Sequence, residues 1–165
     1  MKRFAALFLV GTIPAALFAD PVAHLVMVSD PGEWVGQGQS WDVTYTPSNT
    51  ILFEAQLDSW APGPGPNSAS FSFFGDGSWP INVFSQLLFT TNQLGVPIQN
   101  GFYPIAQRAP FHDPGFAGLD VNWQHRGLNE LVGSFTIHDF AFSGTEGSYV
   151  IDRFDASFEQ RSGFN

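Results

Sequence analysis

The sequence predicts an all-β fold, a two-sheet antiparallel β-sandwich of jelly-roll type, on three observations. Apolar residues alternate with polar ones in short runs, the period-two pattern of half-buried strands, and apolar spacing of the helical kind is nearly missing after residue 20. Seventeen Gly and twelve Pro break those runs at turn-like intervals. The clearest case is the C-terminal pair 131–142 and 149–160, joined by Ser143-Gly144-Thr145-Glu146-Gly147-Ser148. In its second member Val150, Phe154, Ala156 and Phe158 share one face. In its first, Leu131, Phe135 and Ile137 share a face, but Phe140 and Phe142 have the opposite parity. A β-bulge near His138-Asp139 returns them to the core side.

From the N-terminus, Met1-Lys2-Arg3 precedes an apolar run over 4–18, and Leu17-Phe18-Ala19 stands before Asp20. This is the layout of a secretory signal peptide and is too short for a comfortable bilayer span. Residues 1–19 are therefore set apart from the fold, and 20–165 are read as a single β-sandwich domain with one core. The first strand, 22–28, is apolar on both faces. Ser29-Asp30-Pro31-Gly32 is a type II turn signature, and Glu33 to Gln39, with two Gly two apart, is a loop or bulge. In 40–46, Trp41, Val43 and Tyr45 alternate with Ser40, Asp42 and Thr44, and 50–57 follows a Pro47-Ser48-Asn49 turn. The Pro/Gly stretch 60–68 is an exposed connection. Strands 70–74 and 79–84 form a hairpin around Asp76-Gly77, and 86–90 extends it or begins a new strand. The remaining elements are a loop over 92–100, a strand from 101 towards 111, a turn over 112–118, a short strand at 119–121 and a turn over 124–127.

Without Lys2 and Arg3, the basic residues fall from six to four against fifteen acidic ones, a net charge of −11. Such a surface repels nucleic acid and anionic membrane, so neither is expected as a partner. No second apolar run is long enough to span a membrane, which makes the expected location secreted, extracellular or at the cell envelope. There is no Cys, so the core alone holds the fold, and eighteen Phe with five Trp supply it.

Familiar nucleophile arrangements fail: there is no Cys, no Gly-x-Ser-x-Gly, and no Ser, His and Asp set singled out by spacing, so no catalytic residue is assigned. His112-Asp113, His125 and His138-Asp139 lack zinc-motif spacing, and no cofactor is assigned. Asp30, Glu33, Asp76 and Asp120 in Gly-rich loops are the residues that would serve calcium, although Asp beside Gly or Pro is ordinary turn chemistry. Trp34, Trp60 and Trp123 stand beside turns, where a flat ring with a nearby Gln, Asn or Asp suits stacking on a sugar, and His125 and Arg126 complete the candidate ligand contacts. A Trp beside a turn is, against that, commonly a lid on the core.

Ser29-Asp30-Pro31-Gly32-Glu33-Trp34-Val35-Gly36-Gln37-Gly38-Gln39 resembles the opening of a family of uncharacterised exported bacterial all-β domains. The resemblance continues at Gly101-Phe102-Tyr103, Arg108-Ala109-Pro110-Phe111, Gly118-Leu119-Asp120-Val121, Arg126-Gly127-Leu128-Asn129, Gly133-Ser134-Phe135 and Phe154-Asp155-Ala156-Ser157-Phe158-Glu159-Gln160. It implies secretion, often with a PEP-CTERM-type sorting tail that this chain lacks, and it brings no activity with it. It also implies a Cys pair where Leu128 and Ser162 stand, hence one lost bridge worth about 2–4 kcal/mol. A further strand is expected beyond the Glu-Gln stretch in such domains. Its lack here implies an open edge beside 150–160 and loose residues 161–165.

Three function classes follow. The first is an exported non-enzymatic binding or matrix component at or outside the envelope, with an extracellular glycan as candidate partner. The second is a hydrolase or lyase acting on extracellular polysaccharide, with a carboxylate and His125 or Arg126 as acid–base groups; it requires a concave sheet face lined by His, Arg, Asp and Tyr. The third is a purely structural protein that assembles through the open edge.

Overall fold

The computed structural model describes residues 3–11, 22–45, 52–59, 65–74 and 85–162. The fold is all-β. Among the described residues the ten strands are β1 (Phe4–Gly11), β2 (Val22–Ser29), β3 (Ser40–Tyr45), β4 (Leu52–Asp58), β5 (Ser68–Phe74), β6 (Ser85–Thr90), β7 (Gly101–Arg108), β8 (Ala117–Asn122), β9 (Leu131–Ser143) and β10 (Val150–Ser162). A 3-10 turn, Asn92–Leu94, lies between β6 and β7. The expected strand 79–84 and its Asp76-Gly77 turn lie outside the described residues.

The strands pair in the order β3-β2-β1-β10-β9-β7-β8-β6-β5-β4, antiparallel except for β7 beside β8. The ladder runs unbroken from β3 to β4 through β1, which links a two-stranded sheet to a seven-stranded one that comes close to a barrel. One sheet coils until its halves face each other across the core. Phe71 of β5 lies 4.7 Å, ring to ring, from Phe154 of β10, and Phe89 of β6 lies 5.3 Å from Phe135 of β9. Alternation in a sequence says which face of a strand is buried. Which strands pair, and how far their twist closes the sheet, is set by the whole assembly.

The C-terminal pair holds the longest ladder. Ile137 pairs with Ala156 and Asp139 with Asp155, so His138 is the extra residue of a bulge where the parity break predicted one. Beyond it Phe140 turns inward against Phe154, 5.8 Å away. A second irregularity at Asp152 is not legible in the apolar pattern. It reverses parity again and leaves Val150 57 % exposed, not on the face of Phe154. The loose end expected at 161–165 is also corrected in part: Arg161 pairs with Val132 and Ser162 with Leu131, because β9 begins early enough to offer partners.

Residues 4–11, set aside above as part of a leader, are placed in mid-sheet. β1 pairs antiparallel with β10 on one side and β2 on the other, each over eight residues. It joins a two-stranded ladder, β3-β2, to a seven-stranded one, β10 through β4. The edge of β10 expected to be open is thus covered. An eight-residue apolar run reads equally as a leader core or a buried strand, and periodicity does not separate the two.

Candidate functional site

Two loops from opposite walls meet at one end of the coiled sheet. The first is the β2–β3 connection, residues 30–39. Glu33 organises it: its backbone N–H donates to the Asp30 carbonyl at 3.1 Å, and its Oε2 accepts from the Gly36 N–H at 2.6 Å. The Gly38 N–H donates to Ser29 Oγ at 3.2 Å. Glu33 and Val35 point inward and are buried, which turns Trp34, between them, outward to 60 % exposure.

The second loop is the turn after β8. The Trp123 N–H donates to the Arg126 carbonyl at 2.8 Å and the Arg126 N–H to that of Trp123 at 3.0 Å. Gln124 and His125 between them have φ of 51° and 60°, as a type I′ turn demands. Asn-Gly is the usual sequence there, and a side chain in this region costs roughly 1–2 kcal/mol per residue. With Gln37, at φ 52°, they are the three non-glycine residues of positive φ among the described residues, and all three lie in these two loops. Such clustering of backbone strain is characteristic of functional sites.

Arg126 ties the loops together. Its Nε donates to the Val35 carbonyl at 3.2 Å and its Nη2 to Gln124 Oε1 at 2.9 Å, while the Gln124 N–H donates to Ser85 Oγ at 2.9 Å. Trp34 therefore projects from a backbone clamped at the next residue, beside the turn that carries exposed His125.

Of the five expected ligand contacts, the structure associates Trp34, His125 and Arg126 through these two loops. Trp123 is corrected: at 1 % exposure it is a core residue wedged between Trp41 and Phe73, because β3 crosses over it. Trp60 lies outside the described residues. Sequence reasoning missed Gln37 and Gln124, whose only signal was the Gly-rich neighbourhood of one and the turn position of the other.

Three of the calcium candidates are engaged otherwise. Asp30 Oδ2 accepts the Arg3 N–H at 2.7 Å, Glu33 braces its own loop, and Asp120 faces Arg108 at 3.9 Å. Burial pushes the Asp120 carboxyl up to about 6, with Arg108 and a Val121 backbone hydrogen bond opposing. Asp76 lies outside the described residues. Among those described, no three His, Asp or Glu side chains converge on a metal-sized site, and no helix is long and apolar enough to cross a membrane.

The surface of the described residues includes two hollows. A mostly apolar groove of about 610 Å³ on the outer face is lined by Val26, Val28, Phe102, Thr136, Ser157 and Glu159 among others. Its one carboxylate, Glu159, accepts from Arg161 at 2.7 Å, so the lining of His, Arg, Asp and Tyr that polysaccharide hydrolysis calls for is not found there. A smaller hollow of about 350 Å³ lies between the end of β4 and the β9–β10 turn, with Asp58, Glu146 and Tyr149 in its wall. No protein-family model, curated protein or solved structure matches this chain.

Proposed function

We propose that this is an exported, non-enzymatic β-protein acting at or outside the cell envelope, and that it binds a glycan at the Trp34 loop. The observation that carries the reading is an exposed Trp34 on a backbone clamped by Arg126, beside a strained turn bearing His125. An indole face stacks on a sugar ring, and the amides of Gln37 and Gln124 with the imidazole of His125 supply the hydrogen-bonding rim that orients hydroxyls. The acidic surface argues for a neutral or cationic glycan over a sulfated or uronic one. Titration of soluble polysaccharides into the protein, followed by tryptophan fluorescence, tests it. Binding that disappears in Trp34→Ala supports the reading; no binding to any neutral or cationic polysaccharide defeats it.

A second reading, a hydrolase or lyase acting on extracellular polysaccharide, has one observation in its favour: two carboxylates, Asp58 and Glu146, share a hollow with Tyr149, and paired carboxylates are what glycoside hydrolysis uses. Release of reducing ends by the wild type, lost in both Asp58→Asn and Glu146→Gln, would favour it over simple binding.

A further inference from the structure

We propose that the strand position held by Phe4–Gly11 is a strand-acceptor site. In the exported chain, once residues 1–19 are removed, it takes a free extended segment of another polypeptide; the proposal rests on the export reading above. β1 runs antiparallel to both of its neighbours, so β2 and β10 are parallel to each other. They stand two ladder spacings apart, about 9–10 Å. Without β1, each presents unpaired N–H and C=O groups over eight residues, and the flanking core residues Leu25, Met27, Phe154 and Phe158 lose their cover.

The gap does not close by simple collapse. β2 is carried by the hairpin it forms with β3, and that hairpin is fixed to the opposite wall by contacts independent of β1. Trp41 meets Trp123 at 5.6 Å, and the Val35 carbonyl accepts from Arg126. Drawing β2 onto β10 would pull both apart. A single strand antiparallel to both edges satisfies the two ladders at once, and only a segment free on both its own edges supplies that.

The register defines the occupant. Positions 6, 8 and 10 align with Met27 and Phe158, Leu25 and Ala156, and Ala23 and Phe154, all buried, so these alternate positions call for apolar residues. Position 4 differs. It aligns with Ser29 and Gln160, and Gln160 is fully buried with neither amide atom hydrogen-bonded. A matched partner therefore carries a hydrogen-bonding residue at that point. Positions 5 and 9 pair with Glu159 and Asp155, which favours neutral or basic residues on the outward face.

The test uses the full chain with a protease site placed between Ala19 and Asp20, folded intact and then cut. We expect the 1–19 fragment to stay bound by native mass spectrometry and to be displaced by a labelled peptide of residues 3–12. The same peptide with Phe4→Gln should bind about tenfold tighter, and one with Ala6→Asp and Phe8→Asp at least about tenfold weaker. Loss of the fragment from a monomer whose β2 and β10 amides stay protected in hydrogen exchange overturns the proposal. So does a dimer that the peptide fails to dissociate, and equal affinity of the native and Phe4→Gln peptides overturns the polar-row assignment. Localisation is read separately: protein found only in the cytoplasm sinks the export reading and leaves the acceptor measurement standing, whereas an intact Met1 on exported protein means that residues 4–11 keep the position and overturns the proposal for the exported chain.

Discussion

The indole rings of Trp41 and Trp123 meet edge to face, 5.6 Å apart at 65°, although they belong to distant parts of the sheet. Trp41 lies on β3, the last strand at one end of the order, and Trp123 follows β8 in the other half. Phe73 of β5 touches the same indole at 6.1 Å. This aromatic cluster closes the coil, and it holds the β2–β3 loop where Arg126 can reach it.

Replacing Trp123 with Ala should therefore cost about 3–5 kcal/mol, the range for an aromatic side chain removed from a packed core. Urea unfolding measures it. A loss below about 1 kcal/mol would mean that the two halves of the sheet are not joined through this ring.

Trp34→Ala should behave oppositely, with stability within about 0.5 kcal/mol of wild type, since the ring is 60 % exposed, and glycan affinity reduced about tenfold or more. The pair of variants separates a folding role from a binding role at two superficially similar turn tryptophans.

His125→Gly should raise stability by about 1 kcal/mol, because glycine adopts positive φ without a Cβ penalty, while lowering glycan affinity. Thermal unfolding and the binding titration read the two effects independently. Greater stability with unchanged affinity would remove His125 from the site.

Gly133→Ala should destabilise by about 1–3 kcal/mol. A Cβ there would fall against the Glu159 carbonyl oxygen and 3.1 Å from Leu119 Cδ2, and neither the β9–β10 ladder nor the packed leucine has room to withdraw. Chemical denaturation of the variant measures the loss.

Asp120 should impose a pH slope. Its carboxyl is pushed up from 3.8 to about 6 by burial, so the folded state holds this proton more tightly than the unfolded chain. The stability so gained is complete below about pH 3.8 and is lost as pH rises through about 6. With the side chain 23 % exposed and Arg108 opposing, the loss discounts to about 1–2 kcal/mol by pH 7.5. Asp120→Asn should match wild type near pH 4 and exceed it by that amount at pH 7.5. His112 runs the other way: burial lowers its pKa, and its contribution falls as pH drops below 6.5. The Asp120 effect is thus read from the difference between variant and wild type.

Much of the site was legible in parts. Trp34, His125 and Arg126 were singled out because a ring and polar groups beside turns suit a ligand, but their association depends on one long-range hydrogen bond, Arg126 to Val35, 91 residues apart. Trp123 has the same local setting as Trp34, an aromatic beside a turn. Only the crossing of β3 over it decides that one is core and the other surface.

The sequence by itself determined the class of structure and the buried face of most strands. Period-two alternation and Gly/Pro punctuation are local, and a strand's two faces follow directly from its pleat. It also located the His138 bulge, because a parity break inside an apolar pattern has that one remedy. The tertiary structure alone decided the order in which the strands pair, that Phe4–Gly11 is placed between β2 and β10, and that the 30–39 loop meets the turn after β8 through Val35 and Arg126. Each of these is a matter of which edge meets which, and unpaired backbone edges are chemically alike along every strand, so no local pattern of side chains names their partner.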